Sequence, residues 1–252
     1  MISRRVLHAI DVESIERATV AAVSPEALGA VEGWLLPFDS GTVNRARSAV
    51  PLWHTASDAS VVGTIESRYA ARRLPALFRV ATEACFNGLR RELARRGYKA
   101  ERPTLVQLGS AKAMRQVSTQ PPADIASSPD AAWAALFLGA GLDSVDGASR
   151  VRALSRAPDS LYASVRENGK TVAAGAAAFS HGWSSVHGMR TDPARRGKGL
   201  AGRVLAGLAD AAIHRGVERT FLQVEGANTS AQALYRRAGF ETAWCYEYWR
   251  RA

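Results

Sequence analysis

Alternation of apolar and polar positions is clearest in the second half of the chain. Leu161–Glu167 and Thr171–Phe179 read as strands on either side of an Asn168-Gly169 pair of hairpin type. Ser184–Thr191 is a third strand. A glycine-rich turn then leads into apolar residues with helical spacing over Leu200–Arg215. Phe221–Val224 is a short β-rich run, Ser230–Ala238 a helix and Thr242–Trp249 a last strand. Upstream, Ser128-Pro129-Asp130 is a helix start, with a capping serine and proline at the first position. The helix "AAWAALFLGAG" follows, and a second helical segment reaches about Ala157.

The first half is less regular. Ile15, Val20, Val23, Leu28 and Val31 keep helical spacing over 10–32, with Ser14 or Asp11 as caps. Trp34, Leu36 and Phe38 alternate, Asp39-Ser40-Gly41 supplies a turn, and Thr42–Ser48 alternates again, which reads as a hairpin. Val61–Ala70 and Pro75–Gly97 look like helices or helix–loop pieces, and "YKAERPTLVQLGSA" reads as turn then strand. The Pro/Ser-rich "RQVSTQPPADIASSPD" is the best linker. It divides the chain into an N-terminal domain at 1–118, a linker at 119–128 and a second domain at 129–252. Helices, an antiparallel run, then strand–turn–helix–strand–helix–strand imply an α/β sheet of mixed direction.

Charge narrows the partners. The 252 residues hold 33 Lys and Arg against 23 Asp and Glu, a net charge of +10. Such an excess favours nucleic acid, anionic membrane or a polyanionic ligand such as a nucleotide. The arginine-rich stretch Phe86–Arg96 has no stacking aromatics among its charges beyond Phe86 and Tyr98. No nucleic-acid module is visible either, which argues against direct nucleic-acid binding. Cys85 and Cys245 form neither a disulfide framework nor a metal-ligand spacing. The start "MISRRVLHAIDVES" turns acidic before any long apolar stretch, and no run approaches the ~20 residues of a membrane span. The expectation is a cytoplasmic protein with no signal peptide and no membrane partner.

The chemistry concentrates in "RRGKGLAGRVL", Arg195–Leu205. Glycines let the backbone turn so that successive N–H groups aim at one anion. A helix N-terminus adds unsatisfied donors and roughly half a positive charge. The separations of Gly197, Gly199 and Gly202 fail the dinucleotide fingerprint, and no Gly-Lys-Ser/Thr makes a P-loop. What remains is a pyrophosphate held without metal.

Arg196 to Ala201 fits R-x-x-G-x-A, and the match continues through "GMRTDPARRGKGLAGRVLAGLADAA" and "FLQVEGANTSAQALYRRAGF". On these motifs the chain resembles the GCN5-related N-acetyltransferases (GNAT). The resemblance implies a mixed, mostly antiparallel sheet flanked by helices and acetyl-CoA as cosubstrate, with no metal. Backbone amides of Gly197, Lys198, Gly199, Leu200, Ala201 and Gly202 are implied to bind pyrophosphate, with the charges of Arg196 and Lys198 beside them. Met189, Arg190 and Thr191 are implied to pair with the pantetheine arm in a wedge between their strand and Phe221–Val224. Asn228 matches the asparagine that meets that arm, and Tyr235 the tyrosine that protonates the leaving thiolate. Many relatives carry a glutamate base on the strand before the loop, but Ser184–Met189 contains none. His187 and Glu225 are the candidates, directly or through water, unless the amine arrives neutral.

"GWLLPFDSGTVNRARSAVPL" resembles a stretch found ahead of the catalytic half in some bacterial members, through Trp34, Gly41, Arg45, Ala46, Ser48, Pro51 and Leu52. Pro37 and Arg47 depart from it. The resemblance implies a diverged, half-sized GNAT-like N-terminal α/β domain that helps wall the acceptor site. The expected function is direct acetyl transfer to a primary amine in a ternary complex, with Tyr235 as general acid. The alternative is a catalytically silent CoA-binding sensor or interaction protein on the same fold. The acceptor, small molecule or peptide, stays open, and an exposed sheet edge leaves room for a homodimer.

Overall fold

The computed structural model describes residues 9–55, 58–139 and 143–251. The first eight residues of the start read above, and the Ala140-Gly141 end of the helix opening at Ala131, lie outside them. Helices are α1 (Ala9–Val23), α2 (Val61–Ala70), α3 (Asn87–Arg95), α4 (Ala111–Arg115), α5 (Ala131–Ala135), α6 (Ser144–Arg156), α7 (Leu200–His214) and α8 (Thr229–Arg237). Strands are β1 (Ala27–Val31), β2 (Trp34–Phe38), β3 (Val50–Pro51), β4 (Leu77–Ala81), β5 (Tyr98–Ser110), β6 (Asp124–Ala126), β7 (Ser160–Glu167), β8 (Lys170–Ser180), β9 (Trp183–Thr191), β10 (Arg219–Glu225) and β11 (Glu241–Arg251).

From β7 onward the elements match the sequence reading closely. Upstream of β7 it departs in several places. Thr42–Ser48 carries a single 3-10 turn at Asn44–Ala46 in place of a strand, the cap of α5 is Asp130 and not Ser128, and α5 ends at Ala135. Three further differences lie in the first half. The helix expected to reach residue 32 ends at Val23, and Ala27–Val31 is a strand. Pro25, which lacks the N–H a helix needs, stands just past that end. The hairpin turn is Glu32-Gly33, with φ of 43° and 82°, not Asp39–Gly41, so Val31 pairs Trp34 and Ala27 pairs Phe38. That double positive φ is the signature of a type I′ hairpin. Within the helical reading of Pro75–Gly97, β4 is a fully buried strand, where alternation cannot show.

The strands form a small β1-β2-β3 sheet and an eight-stranded sheet in the order β4-β11-β5-β10-β9-β8-β7-β6. Only β9 and β10 run parallel; the other pairs are antiparallel. Residues on both sides of 119–128 share this sheet. Strand β5 lies between β10 and β11, and β6, inside 119–128, adds an edge. Side chains alternate between two cores. Phe221 and Trp183 face the apolar cluster of α1, α2, α3 and β4, while Leu222 and Val186 face α7 and α8.

Helix α7 explains its own position. Leu200, Val204, Leu205, Leu208, Ala209 and Ala212 recur at helical spacing and are buried against the sheet. The segment between α4 and β6 is held against α7: Arg203 Nε donates to the Pro121 carbonyl at 2.7 Å, and the Ala123 N–H to the Arg203 carbonyl at 3.0 Å.

On the other face, Arg79 of β4 and Glu16 of α1 form an ion pair at 2.6 Å, both almost fully buried. Removing one partner strands a charge in the apolar core, at a penalty of about 3–5 kcal/mol. Glu16→Gln or Arg79→Met is therefore expected to lower stability by that amount in urea denaturation. Combining Glu16→Leu with Arg79→Met should recover much of the loss.

Candidate active site

Strand β10 is paired along its whole length with β5, from Arg219 opposite Ser110 to Glu225 opposite Thr104. Its parallel register with β9 holds only for Thr220–Ser184, Phe221–Ser185 and Leu222–Val186. Beyond those residues the two strands part. Strand β9 instead follows β8, across a bulge where Gly188 and Met189 oppose Gly175. Gly188 has φ +59°, the left-handed conformation that such a bulge gives to glycine. Gly175 makes room for the bulge, since a Cβ there would lie 2.7 Å from Met189 Sδ.

The wedge opens onto a cavity of about 250 Å³. His187, Glu225, Tyr235, Met189 and Asn228 line it together. Arg190 and Thr191 continue β9 past the cavity, and the Arg196–Gly202 loop stands beyond them at the start of α7. Residues that sequence reasoning did not assign to the site also line it: Arg45, Arg102, Arg150, Gln223, Tyr246 and Tyr248. Arg45 lies in the stretch that resembles bacterial family members. The others carry no local signal, because the order of strands and the packing of α6 bring them here.

Each wall has its own chemistry. Tyr235 of α8 sits in the core shared with α7, its ring set against Phe240 at 6.2 Å, and burial pushes its hydroxyl up to about 12 against the opposing charge of Arg45. Gln223 faces the other side, donating to Thr19 Oγ1 at 2.8 Å and accepting from Tyr246 OH at 2.8 Å and from Arg45 Nη1 at 3.3 Å. Asn228 caps α8, its side-chain oxygen accepting from the Ala231 N–H at 3.2 Å. Glu225 is exposed at the end of β10.

His187 is 3% exposed, and neither ring nitrogen has a hydrogen-bond partner among the described residues. Burial first, then the nearby Arg45 charge, drives its pKa down to about 3. The imidazole is neutral at physiological pH.

Gly199 begins α7 with φ +75° and ψ 2°, and Gly197 has φ +79°. Among the described residues no backbone partner takes the N–H groups of Gly197, Lys198, Gly199, Leu200 or Ala201; the first bond of the helix is Gly202 N–H to the Gly199 carbonyl, at 2.9 Å. A row of unsatisfied donors at the start of a 15-residue helix is a fit for pyrophosphate. Gln120 adds a neighbour that the sequence did not reveal: a Cβ on Gly199 would lie 3.1 Å from its amide nitrogen. Two arginines of the arginine-rich stretch, by contrast, are tied up in ion pairs. Arg95 and Arg96 bind Glu92, and Arg96 and Arg251 bind Glu66. No described helix is long and apolar enough to cross a membrane.

A family model described as "Probable histone acetyltransferase Rv0428c C-terminal" matches residues 9–249. The chain belongs to this family, and with it to the GNAT acetyltransferases. A GCN5-related N-acetyltransferase from Kribbella flavida superposes with TM-score 0.70 at 18% identity, covering 95% of each chain. A tandem GNAT protein from the clavulanic acid biosynthesis pathway gives TM-score 0.60 at 14% identity, over 96% of each. These show a shared fold. Two mycothiol acetyltransferases, from Clavibacter sepedonicus and Clavibacter michiganensis subsp. michiganensis, are 41% and 39% identical over 71 residues. The match takes 28% of this chain, which spans 23% of the length of these curated relatives.

The neutral state of His187 has a consequence for stability. Below the ordinary histidine pKa of 6.5 the unfolded chain takes up a proton that folded His187 refuses. Its contribution is therefore fully present above pH 6.5 and is lost as pH falls toward 3, roughly 2 kcal/mol being gone by pH 5. His187→Gln should lose correspondingly less stability than the parent between pH 7 and pH 5 in urea unfolding.

Proposed function

We propose that the protein transfers the acetyl group of acetyl-CoA directly to a primary amine while both substrates are bound. The carrying observation is the parting of β9 and β10 at Val186 and Leu222, which opens onto the cavity holding Tyr235. Past that point the facing edges of both strands lack each other as partners, and an extended amide chain fits such a gap as an added strand. In this reading Met189, Arg190 and Thr191 present that edge to the pantetheine arm. The free N–H groups of Gly197, Lys198, Gly199, Leu200 and Ala201 hold the pyrophosphate, with Arg196 and Gly202 on either side of them, and Asn228 borders the arm. The unsatisfied N–H row at the head of α7 supports the assignment.

Acetyl-CoA supplies an activated thioester. The amine nitrogen bonds to the carbonyl carbon, the C–S bond breaks, and the sulfur takes a proton. Tyr235 is the donor in this scheme. Its raised pKa keeps the phenol protonated across the working range. The phenol hydrogen-bonds the sulfur as negative charge develops there, yields its proton as the C–S bond breaks, and regains one from water. The amine gives up a proton in turn. Glu225, exposed at the cavity edge, takes it directly or through water. His187 is a neutral hydrogen-bonding wall, because burial and Arg45 both oppose its imidazolium.

Tyr235→Phe is expected to lower kcat by about 10²-fold or more while the Kd for acetyl-CoA stays within about twofold. Thiol release and calorimetry measure the two quantities. Unchanged turnover removes Tyr235 from the acid role. A protein that binds acetyl-CoA yet releases no CoA with any amine is the silent sensor instead. Gly199→Leu places a side chain at φ +75° against Gln120 and into the anion's approach, so acetyl-CoA affinity should fall at least tenfold. Retained affinity overturns the loop assignment.

A further inference from the structure

The two walls of the cavity lie on opposite faces of the sheet. Tyr235 belongs to the α7 side, whereas His187 shares the face of Trp183 and Phe221, where α1 packs. If the thioester meets Tyr235 on one face, the amine comes from the other, and the groups waiting there select it.

That second face is positively charged. Arg45, Arg102 and Arg150 line the cavity, with Glu225 the only carboxylate among its lining residues. Arg150 is neutralised by Asp146 at 2.7 Å. Arg45 and Arg102 have no carboxylate within 4 Å among the described residues; Arg45 Nη1 only donates to the Gln223 amide oxygen. Arg45 is also held in place. Its loop is tied to α6 by Thr42 N–H to Ser149 Oγ at 2.8 Å and by Thr42 Oγ1 to Asp146 at 2.7 Å. A Cβ on Gly41 would lie 2.5 Å from Ser149 Oγ, so the loop lies hard against the helix.

Beside Arg45 and Arg150 lies a second space of about 30 Å³, walled by Val23, Phe137, Ala153 and Leu154. It has room for about one or two methyl-sized groups. Nearby, His187 keeps two buried, unpartnered nitrogens. A guanidinium lacking a counter-ion is the usual partner of a carboxylate, which it can grip through two parallel hydrogen bonds. The same field repels a cationic peptide and disfavours an ammonium, so an entering amine loses its proton more easily.

We propose that the acceptor is a small amine carrying its own carboxylate, seated against Arg45 on the face of the sheet opposite Tyr235. This rests on the acetyl-transfer reading. The preferred acceptor is then an amino-acid-like molecule with a short apolar side chain, not a lysine of a basic protein tail.

The test uses the full chain, acetyl-CoA, and a panel comprising glycine, alanine, their carboxamides, phosphoethanolamine and a lysine-rich peptide. The kcat/KM for a carboxylated amine should exceed that of its carboxamide at least tenfold. Arg45→Met should bring this ratio close to one by raising KM, with acetyl-CoA affinity within twofold, and Arg45→Lys should restore part of the preference. Equal use of acid and amide, preference for the phosphate compound or the peptide, or failure of every carboxylated amine despite bound acetyl-CoA overturns the proposal. A parent chain that does not bind acetyl-CoA overturns the transfer reading itself, which separates the two failures.

Discussion

A parallel pair of strands that stays in register for three residues must be kept from closing further. Here β5 does this on one side, because its ladder runs the full length of β10 and fixes that strand to its end. On the other side β8 carries β9 away across the bulge at Gly188. Each strand is thus satisfied by its outer neighbour, and the unpaired edges are left facing one another. Backbone groups in that position lack a partner strand, so the wedge keeps hydrogen-bonding capacity along both of its edges. The cavity, the approach from α7 and the separation of the two faces all depend on this divergence.

The charge pattern is organised around the same opening. Net charge alone suggested an acidic partner without saying where it would lie. In the folded chain many arginines are spent on local pairs, as Arg95, Arg96 and Arg251 are on Glu92 and Glu66. Arg45 is an exception beside the cavity, and its field reaches His187, Tyr235 and Tyr246, lowering the proton affinity of all three. For the two tyrosines burial pushes the other way and prevails. Tyr235 and Tyr246 remain neutral donors, while His187 remains neutral for the opposite reason, its cationic form being doubly disfavoured. A positively charged cleft with neutral aromatic and imidazole walls is the result.

The second half of the chain was legible because its signals are local. The Asn168-Gly169 turn, the spacing along α7 and the motif at Arg196–Ala201 each involve residues close in sequence, and the structure has each of these elements. Strand β4 was misread because burial on both faces erases alternation, leaving an apolar run with Arg79 as its only polar member. The helical reading beyond Val23 failed because apolar residues of a hairpin fell by chance on a helical period, while the breaking signal lay in Pro25. The wall of the cavity built from Gln223, Tyr246, Tyr248, Arg102 and Arg150 had no such signal. Those residues come from β10, β11, β5 and α6; strand order makes neighbours of the first three, and the packing of α6 against the Thr42 loop brings Arg150.

The interleaving of β5 between β10 and β11 also bears on how this chain comes into being. Strand β5 leaves the ribosome well before either of its permanent neighbours has been synthesised. For that interval both of its edges are open templates, with buried positions such as Val106 in contact with water. Long-range pairing of this kind is slow to form and vulnerable to wrong partners while it waits. The charged run Lys99, Glu101 and Arg102 at the exposed end of the strand gives the nascent segment some protection against sticking to another copy of itself. Maturation of the cleft is therefore a late event, completed only when the last strand threads in between β4 and β5.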